Sequence, residues 1–495
     1  LLSGPGEYNC AQIGVFNCIT TVANADLQNA RYAFPPLLND VIKKDMRLTK
    51  VQIANSNIVS LAATLIVRLI AGPACDRFGP RYTFAGCLLI GAIPTFLAGT
   101  AFNASELYAL RFFIGILGGS FVPCQVWTTG FFDKNIVGTA NSITAGFGNA
   151  GGGITYFVMP AIYKSLIRDG LSPHVAWRVS FVVPGVLIVT VALALVLLCP
   201  DTPTGKWSDR FQAAENNLRK HEVHSAVVDV PGFVTEDNNS GGRTGPPSHI
   251  SREEKKLNDD SGNFADHETQ MGEQQMIDTA RGEVIQKPSF AEIVKVCVSP
   301  QTLVCGACYF STFGTELSVN SILGTWYEKN FKFLGLQGAG NWAAMFGLMN
   351  IVCRPLGGLV SDLAYNASGG KVWSKKILLH VYGLISGAML IAIGVTNSHH
   401  LYTLVLLIGI GLAFFMEGAN GLTFSLVPHV HPYANGIVSG FTGACGNLGG
   451  IVFAIIFRYV LDYGKSAWII GIIVMGLHVA VCWVPPIPKR QVGGR

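Results

Sequence analysis

Charge is what this 495-residue sequence has least of: Asp, Glu, Lys and Arg together make up 13%, about half the share of an ordinary soluble domain. That deficit, beside a 50% hydrophobic content and a mean hydropathy of +0.40, excludes a water-soluble globular chain. No basic, aromatic-interleaved patch is present, so nucleic acid is not an expected partner. There is no metal-ligand cluster, nucleophile elbow or phosphate loop in a loop context. No metal or cofactor is therefore expected, and the chain does not read as an enzyme. A cleavable leader with a basic start and a short apolar core is also missing, so the first membrane span is expected to direct insertion itself. The 12 cysteines are scattered through apolar segments; Cys305 and Cys308 form a CxxC inside one of them, where small packing residues are the favoured reading over redox or metal chemistry.

What is abundant is apolar sequence in runs long enough to cross a bilayer. Spans are expected near 53–75, 82–102, 106–130, 138–162, 176–199, 300–327, 338–361, 376–396, 400–426, 433–458 and 465–485. One more at the N-terminus makes about twelve. An open sheet cannot satisfy its backbone in lipid, so the class is an all-α membrane protein with the bilayer as its first partner.

Residues 200–299 are polar, Gly/Ser-rich and acidic, and read as a disordered loop rather than a domain. They separate an N-terminal half, 1–199, from a C-terminal half, 300–488, with a short tail at 489–495. The halves repeat. Arg68 stands eight residues before Asp76, and Arg354 eight before Asp362. Gly138 stands eleven before Asn149, and Gly436 eleven before Asn447; each asparagine follows a glycine and precedes x-Gly-Gly. Paired halves with matching polar features mark a transporter whose site lies between the repeats.

Arg68 and Arg354 interrupt apolar helices, where an arginine costs roughly 2.5–3.5 kcal/mol at the bilayer centre. The bland reading is snorkelling from a helix end. Eight residues of helix, however, put each arginine about 12 Å inside the loop, against a half-thickness of about 15 Å. Asn149 and Asn447 come out about 16 Å deep. Four polar groups thus converge on one level. Neither arginine has an acidic companion at that depth in its own helix, so two positive charges without obvious partners call for an anion. The planar guanidinium fork suits a planar oxyanion. Phe121, Tyr309 and Phe313 fall at similar depth, as walls of the site or as ordinary packing.

The stretch AGFGNAGGG, 145–153, places Gly146, Gly148, Gly151 and Gly152 around Asn149. Gly446, Gly449 and Gly450 do the same around Asn447. Residues without Cβ let helices approach closely and slide. Simple helix packing is the alternative, and it would not require the central amide.

The loop GPACDRFGPR, which holds Gly72, Asp76, Arg77, Gly79 and Arg81, resembles the loop between the second and third spans of the major facilitator superfamily. Arg111-x-x-x-Gly115-x-x-x-Gly119 is a weaker match to the fourth span. AGFGNAGGG and GACGNLGG resemble the two signatures of that superfamily's nitrate/nitrite porter family, and CQVWTTGFFDK with DTPTGKW is most similar to its fungal members. The resemblance runs from about Ala33 to Val484 without the central loop. It implies the superfamily fold: two pseudo-symmetric six-helix halves that exchange access by rocking. It also implies that Arg68 and Arg354 clamp nitrate or nitrite from opposite sides, helped by Asn149, Asn447 and Tyr309. The family's first span does not match here: GVFNCITTVANADLQNARYA is a poor span, and residues 10–32 are expected to be a gene-model error.

The resemblance puts the loop after the second span, the central loop and the C-terminus in the cytoplasm, with the protein in the plasma membrane and functional as a monomer. Loop charges alone leave this open: Arg77, Arg81, Lys371, Lys375 and Lys376 favour one side, but Lys43, Lys44, Arg47 and Lys50 lie on the other. Asn103-Ala-Ser105 is then a sequon outside and Asn366-Ala-Ser368 one inside. Importing an anion against a negative interior costs about 2.3 kcal/mol per 100 mV. Proton symport needs more than one proton per nitrate, with Glu316 and Glu417 as the candidate sites at membrane depth. Nitrate/nitrite exchange, a membrane nitrate sensor, or carriage of another oxyanion such as phosphate or formate are the alternatives.

Overall fold

The computed structural model describes residues 34–220 and 284–489, apart from Thr204, Gln286 and Leu461. The suspect segment 10–32 lies outside the described residues, as does most of the central loop. Every regular element among the described residues is a helix. We number the principal ones α1 (Lys50–Phe78), α2 (Pro80–Phe96), α3 (Ala104–Ile114), α4 (Phe121–Phe131), α5 (Val137–Arg168), α6 (Pro173–Ser180) and α7 (Val182–Leu198). After the central loop come α8 (Pro300–Asn330), α9 (Gly335–Leu348), α10 (Asn350–Ala367), α11 (Val372–Thr396), α12 (Ala413–Val430), α13 (Asn435–Tyr459) and α14 (Tyr463–Val481).

Local chemistry sets the ends. Thr49 and Gln52 close a reciprocal cap on the first turn of α1. Gly79 ends that helix at φ +91°, and Pro80 opens α2 at its first position. Among the described residues nine stretches are long and apolar enough to cross a membrane. The count is ten if Phe290–Cys297 and α8, bent by 61°, make one span. The glycine-rich α5 spans 32 residues but is not among them. Of the expected first span, helix is described from Phe34 onward.

One apolar cluster, from Phe34 to Cys199, belongs to the first half alone; another, from Val319 to Val474, belongs to the second. The halves meet where α1 packs on α13 and α5 on α10. Large apolar side chains such as Ile70, Ile93, Leu197 and Val395 point outward, as a lipid-facing surface allows. The close approaches expected of the glycines occur at Gly146, where a Cβ would stand 2.5 Å from the Asn350 carbonyl, and at Gly449, where it would stand 2.1 Å from that of Phe310.

Two expectations need correction. The ends of the 200–299 loop are ordered: Arg210–Lys220 and Phe290–Cys297 are helical, and the Arg210 guanidinium donates to the Ile285 carbonyl at 2.6 Å. Trp207 packs against Gly79, where a Cβ would lie 2.9 Å from the indole. Apolar anchors (Trp207, Val284, Ile285) inside a polar stretch explain the difference. Lys375 and Lys376 are not loop charges. Both are fully buried; Lys375 pairs with Asp362 at 2.9 Å, and Lys376 donates to carbonyls at the end of α14, including Cys482 at 2.9 Å.

Candidate substrate site

α1 brings Arg68 inward from the first half, and its side chain is wholly buried. Its Nε donates to the Gly118 carbonyl and its Nη1 to the Gly443 carbonyl, both at 2.9 Å. Gly443 belongs to α13, so this arginine bridges the halves. Arg354 enters from α10, equally buried. The two guanidiniums approach one ring: Phe313 on α8 lies with its centroid 5.5 Å from Arg68 Cζ and 5.7 Å from Arg354 Cζ. Both distances are within cation–π range.

Aromatic side chains fill the surroundings. Tyr309 stacks on Phe313 at 4.7 Å with 6° between planes. Phe121 lies 4.8 Å from the Arg68 guanidinium. Phe424, from α12, meets both Phe121 and Tyr309 edge-on at 5.0 and 5.1 Å. The Tyr309 hydroxyl is buried among these groups.

The absence of an acidic partner for the arginines does not hold for Arg354. Its Nη2 donates to Glu316 Oε2 at 3.0 Å, and both side chains are buried. Glu316 sits on α8, so inspecting each arginine's own helix could not reveal it. Asn350 and Asn420 complete the carboxylate's shell, donating at 2.9 and 2.6 Å. Thr312 donates in turn to Asn420 Oδ1 at 2.7 Å. Glu417, one turn before Asn420, is fully buried, and among the described residues neither carboxylate oxygen has a hydrogen-bond partner.

Asn149 and Asn447 make the same local bond. Each amide donates to the carbonyl four residues back, Asn149 to Ala145 at 3.0 Å and Asn447 to Gly443 at 2.9 Å. The Gly443 carbonyl therefore accepts from both Asn447 and Arg68. Next to it, Gly446 lies so close to Tyr309 and Phe313 that a Cβ would sit 2.5 Å from the first ring and 2.8 Å from the second. The helix of Asn149 meets that of Arg354 at Gly146.

At one end of the site the repeated acids cross between halves. Asp76 accepts from the backbone N–H of Gly436 and Ile437 at the start of α13. Asp362 accepts from the N–H and hydroxyl of Thr139 at the start of α5, at 2.6 and 2.7 Å. Gly72 and Gly138 stand at these crossings. Arg77 instead lies over Phe78, and Arg81 donates to the Val196 carbonyl.

Sequence reasoning missed Phe424, Asn420 and Asn350. Helical spacing offered a signal. Glu417, Asn420 and Phe424 share one face of α12, and Asn350 lies one turn before Arg354.

Two helical halves around a buried aromatic site that takes one arginine from each define a membrane transporter. The family described as Major Facilitator Superfamily matches residues 21–454, and this chain belongs to it. The chain is 46% identical over 420 residues to Elsinochrome transporter 1 of Elsinoe fawcettii, covering 84% of this chain and 81% of that one. It is 31% identical over 458 residues to High affinity nitrate transporter 2.5 of Arabidopsis thaliana, covering 92% and 75%. It is 26% identical over 437 residues to the Nitrate/nitrite transporter NrtP of Nostoc punctiforme, covering 84% and 81%. The fold is similar to that of the proton:xylose symporter XylE, with TM-score 0.64, 14% identity and 95% of each chain covered.

Proposed function

We propose that this protein carries nitrate, and nitrite, across the plasma membrane by alternating access, driven by protons. The observation that carries the reading is the pair of buried guanidiniums, one from each half, against a single Phe313 ring. A planar oxyanion stacks on that ring while accepting from both forks, and the nitrate transporters among the relatives support the assignment. The central loop and C-terminus face the cytoplasm, and the monomer, divided at about 199 and 300, is the working unit.

Two carboxylates serve a reaction that needs more than one proton per anion. Glu417 takes a proton without giving up any partner. Protonation of Glu316 frees Arg354 to face the anion. Counting Arg68, Arg354, Glu316 and Glu417, the site holds one excess positive charge with both protons and nitrate bound, against two with the protons alone. That favours joint crossing of an apolar barrier.

One observation favours a second reading. The 46% identity to Elsinochrome transporter 1 supports elsinochrome or a compound like it as the cargo. Purified protein in liposomes separates the two. Nitrate should accumulate inside under an inward proton gradient, and much less without one. No nitrate movement under any gradient, with saturable movement of elsinochrome instead, would remove the nitrate reading.

A further inference from the structure

Away from the arginines, Cys308, His380 and His478 come together from α8, α11 and α14. All three are buried, and one ligand atom from each lies within 4.8 Å of the others. His380 Nδ1 is 3.2 Å from His478 Nδ1, and Cys308 Sγ is 3.9 Å from that same nitrogen. The two rings meet at 86° with centroids 5.3 Å apart. Gly383 makes room for the His478 ring, since a Cβ there would stand 2.1 Å from it.

The tautomer of His478 follows from its neighbour. Ser311 donates its one hydroxyl proton to the Cys308 carbonyl at 2.7 Å. The Ser311 oxygen, 3.2 Å from His478 Nε2, can then only accept, so Nε2 carries the hydrogen. The Nδ1 of a neutral His478 is therefore a bare lone pair, and it faces both the Cys308 sulfur and His380 Nδ1. It can accept from one of them only. If His380 is the donor, its own buried Nε2 is left a lone pair, and that atom has no hydrogen-bond partner among the described residues. A cation at the convergence point removes the competition for His478 Nδ1: a thiolate and two Nδ1 lone pairs surround it, and a hydroxyl fixes the His478 imidazole from behind, as in known histidine–metal sites.

We propose that Cys308, His380 and His478 form a binding site for a soft monovalent cation, Cu(I). Thiolate and imidazole select soft or borderline metals. One thiolate neutralises Cu(I) completely, whereas Zn(II) leaves a net positive charge in a buried place already close to Lys376. Zn(II) also favours a fourth ligand, and Ser311 is turned to the far side of the ring. The occupant ties α8 to α11 and α14 at the residue before Tyr309. The sequence showed no metal cluster because the three residues lie on separate helices 72 and 98 residues apart; Cys305, the other half of the CxxC, is not a member.

The test uses the purified full-length chain, anaerobic, with Cu(I) supplied from its bicinchoninate complex and Zn(II) in parallel. The wild type and Cys305→Ser should each bind one equivalent of Cu(I) more tightly than Zn(II), with a raised Tm. Cys308→Ser and His380→Gln should lose it, and Ser311→Ala should bind about 10–100-fold more weakly. Monodisperse elution of His380→Gln keeps the comparison valid if Cys308→Ser does not fold. Absence of Cu(I) binding in the wild type, equal binding in all variants, or preference for Zn(II) overturns the proposal.

Discussion

Asp76, at the end of α1, accepts hydrogen bonds from the backbone N–H of Gly436 at 2.9 Å and of Ile437 at 3.1 Å, across the boundary between the halves. A carboxylate at a helix N-terminus in a buried setting contributes up to about 2 kcal/mol. Asp76→Asn should therefore shift the closed form toward opening at this end by roughly tenfold. Cys75 beside it is fully buried and reports the change. Its labelling by a membrane-impermeant maleimide should accelerate by a similar factor. An unchanged rate would mean the contact does not hold this end closed.

Arg68→Lys and Arg354→Lys should each impair nitrate binding by about tenfold or more, while leaving the protein in the membrane. Lysine retains the charge but not the fork, and hydrogen bonds to charged groups are worth about 1.5–3 kcal/mol. Arg68→Lys also cannot keep both carbonyl bonds, to Gly118 and Gly443, in the present geometry. Binding measured by calorimetry on purified variants checks this, and near-normal affinity in both would move the site elsewhere.

Gly449→Ala should destabilise the second half by about 1–3 kcal/mol, because its methyl group meets the Phe310 carbonyl 2.1 Å away and both partners are backbone. Gly476→Ala is the control: nothing lies within 4 Å of its added Cβ, and alanine is the better helix former by about 1 kcal/mol. Thermal unfolding should show a lower Tm for the first and an equal or higher one for the second.

Glu316→Gln should abolish proton-driven current while nitrate exchange persists. The amide keeps the size of the carboxylate but cannot titrate or pair with Arg354. Glu417→Gln should likewise reduce the current with little loss of Tm, since no hydrogen bond is broken. Whole-cell current and tracer exchange on the same variants are the measurements. Wild-type current in both variants would assign the proton path elsewhere.

Replacing Pro231 to Gln275 by a short flexible segment should preserve uptake, for its composition offers no core. Trp207→Ala should do more harm, because its indole packs against Gly79 at the end of α1. Uptake normalised to surface amount compares the two. Loss of uptake in the replacement alone would give the loop a gating or recruiting role.

From the sequence alone the all-helical membrane class and most of the spans were legible, because lipid demands long apolar runs whose backbone bonds are internal; the glycine-rich 138–162 was not apolar enough to count among the nine or ten found in the described residues. The sequence also singled out Arg68 and Arg354, since a buried charge is conspicuous in an apolar run. Periodicity reports only one helix at a time, however. That Glu316 neutralises Arg354, that Phe424 closes the aromatic group, and that Trp207 returns from the loop to Gly79 were decided by packing between distant segments. The same holds for Cys308, where the sequence offered Cys305 as neighbour and the fold supplied two histidines. Spacing along one helix reports only which of its own side chains share a face, whereas helices that pack together bring the ligands of three separate segments to one point.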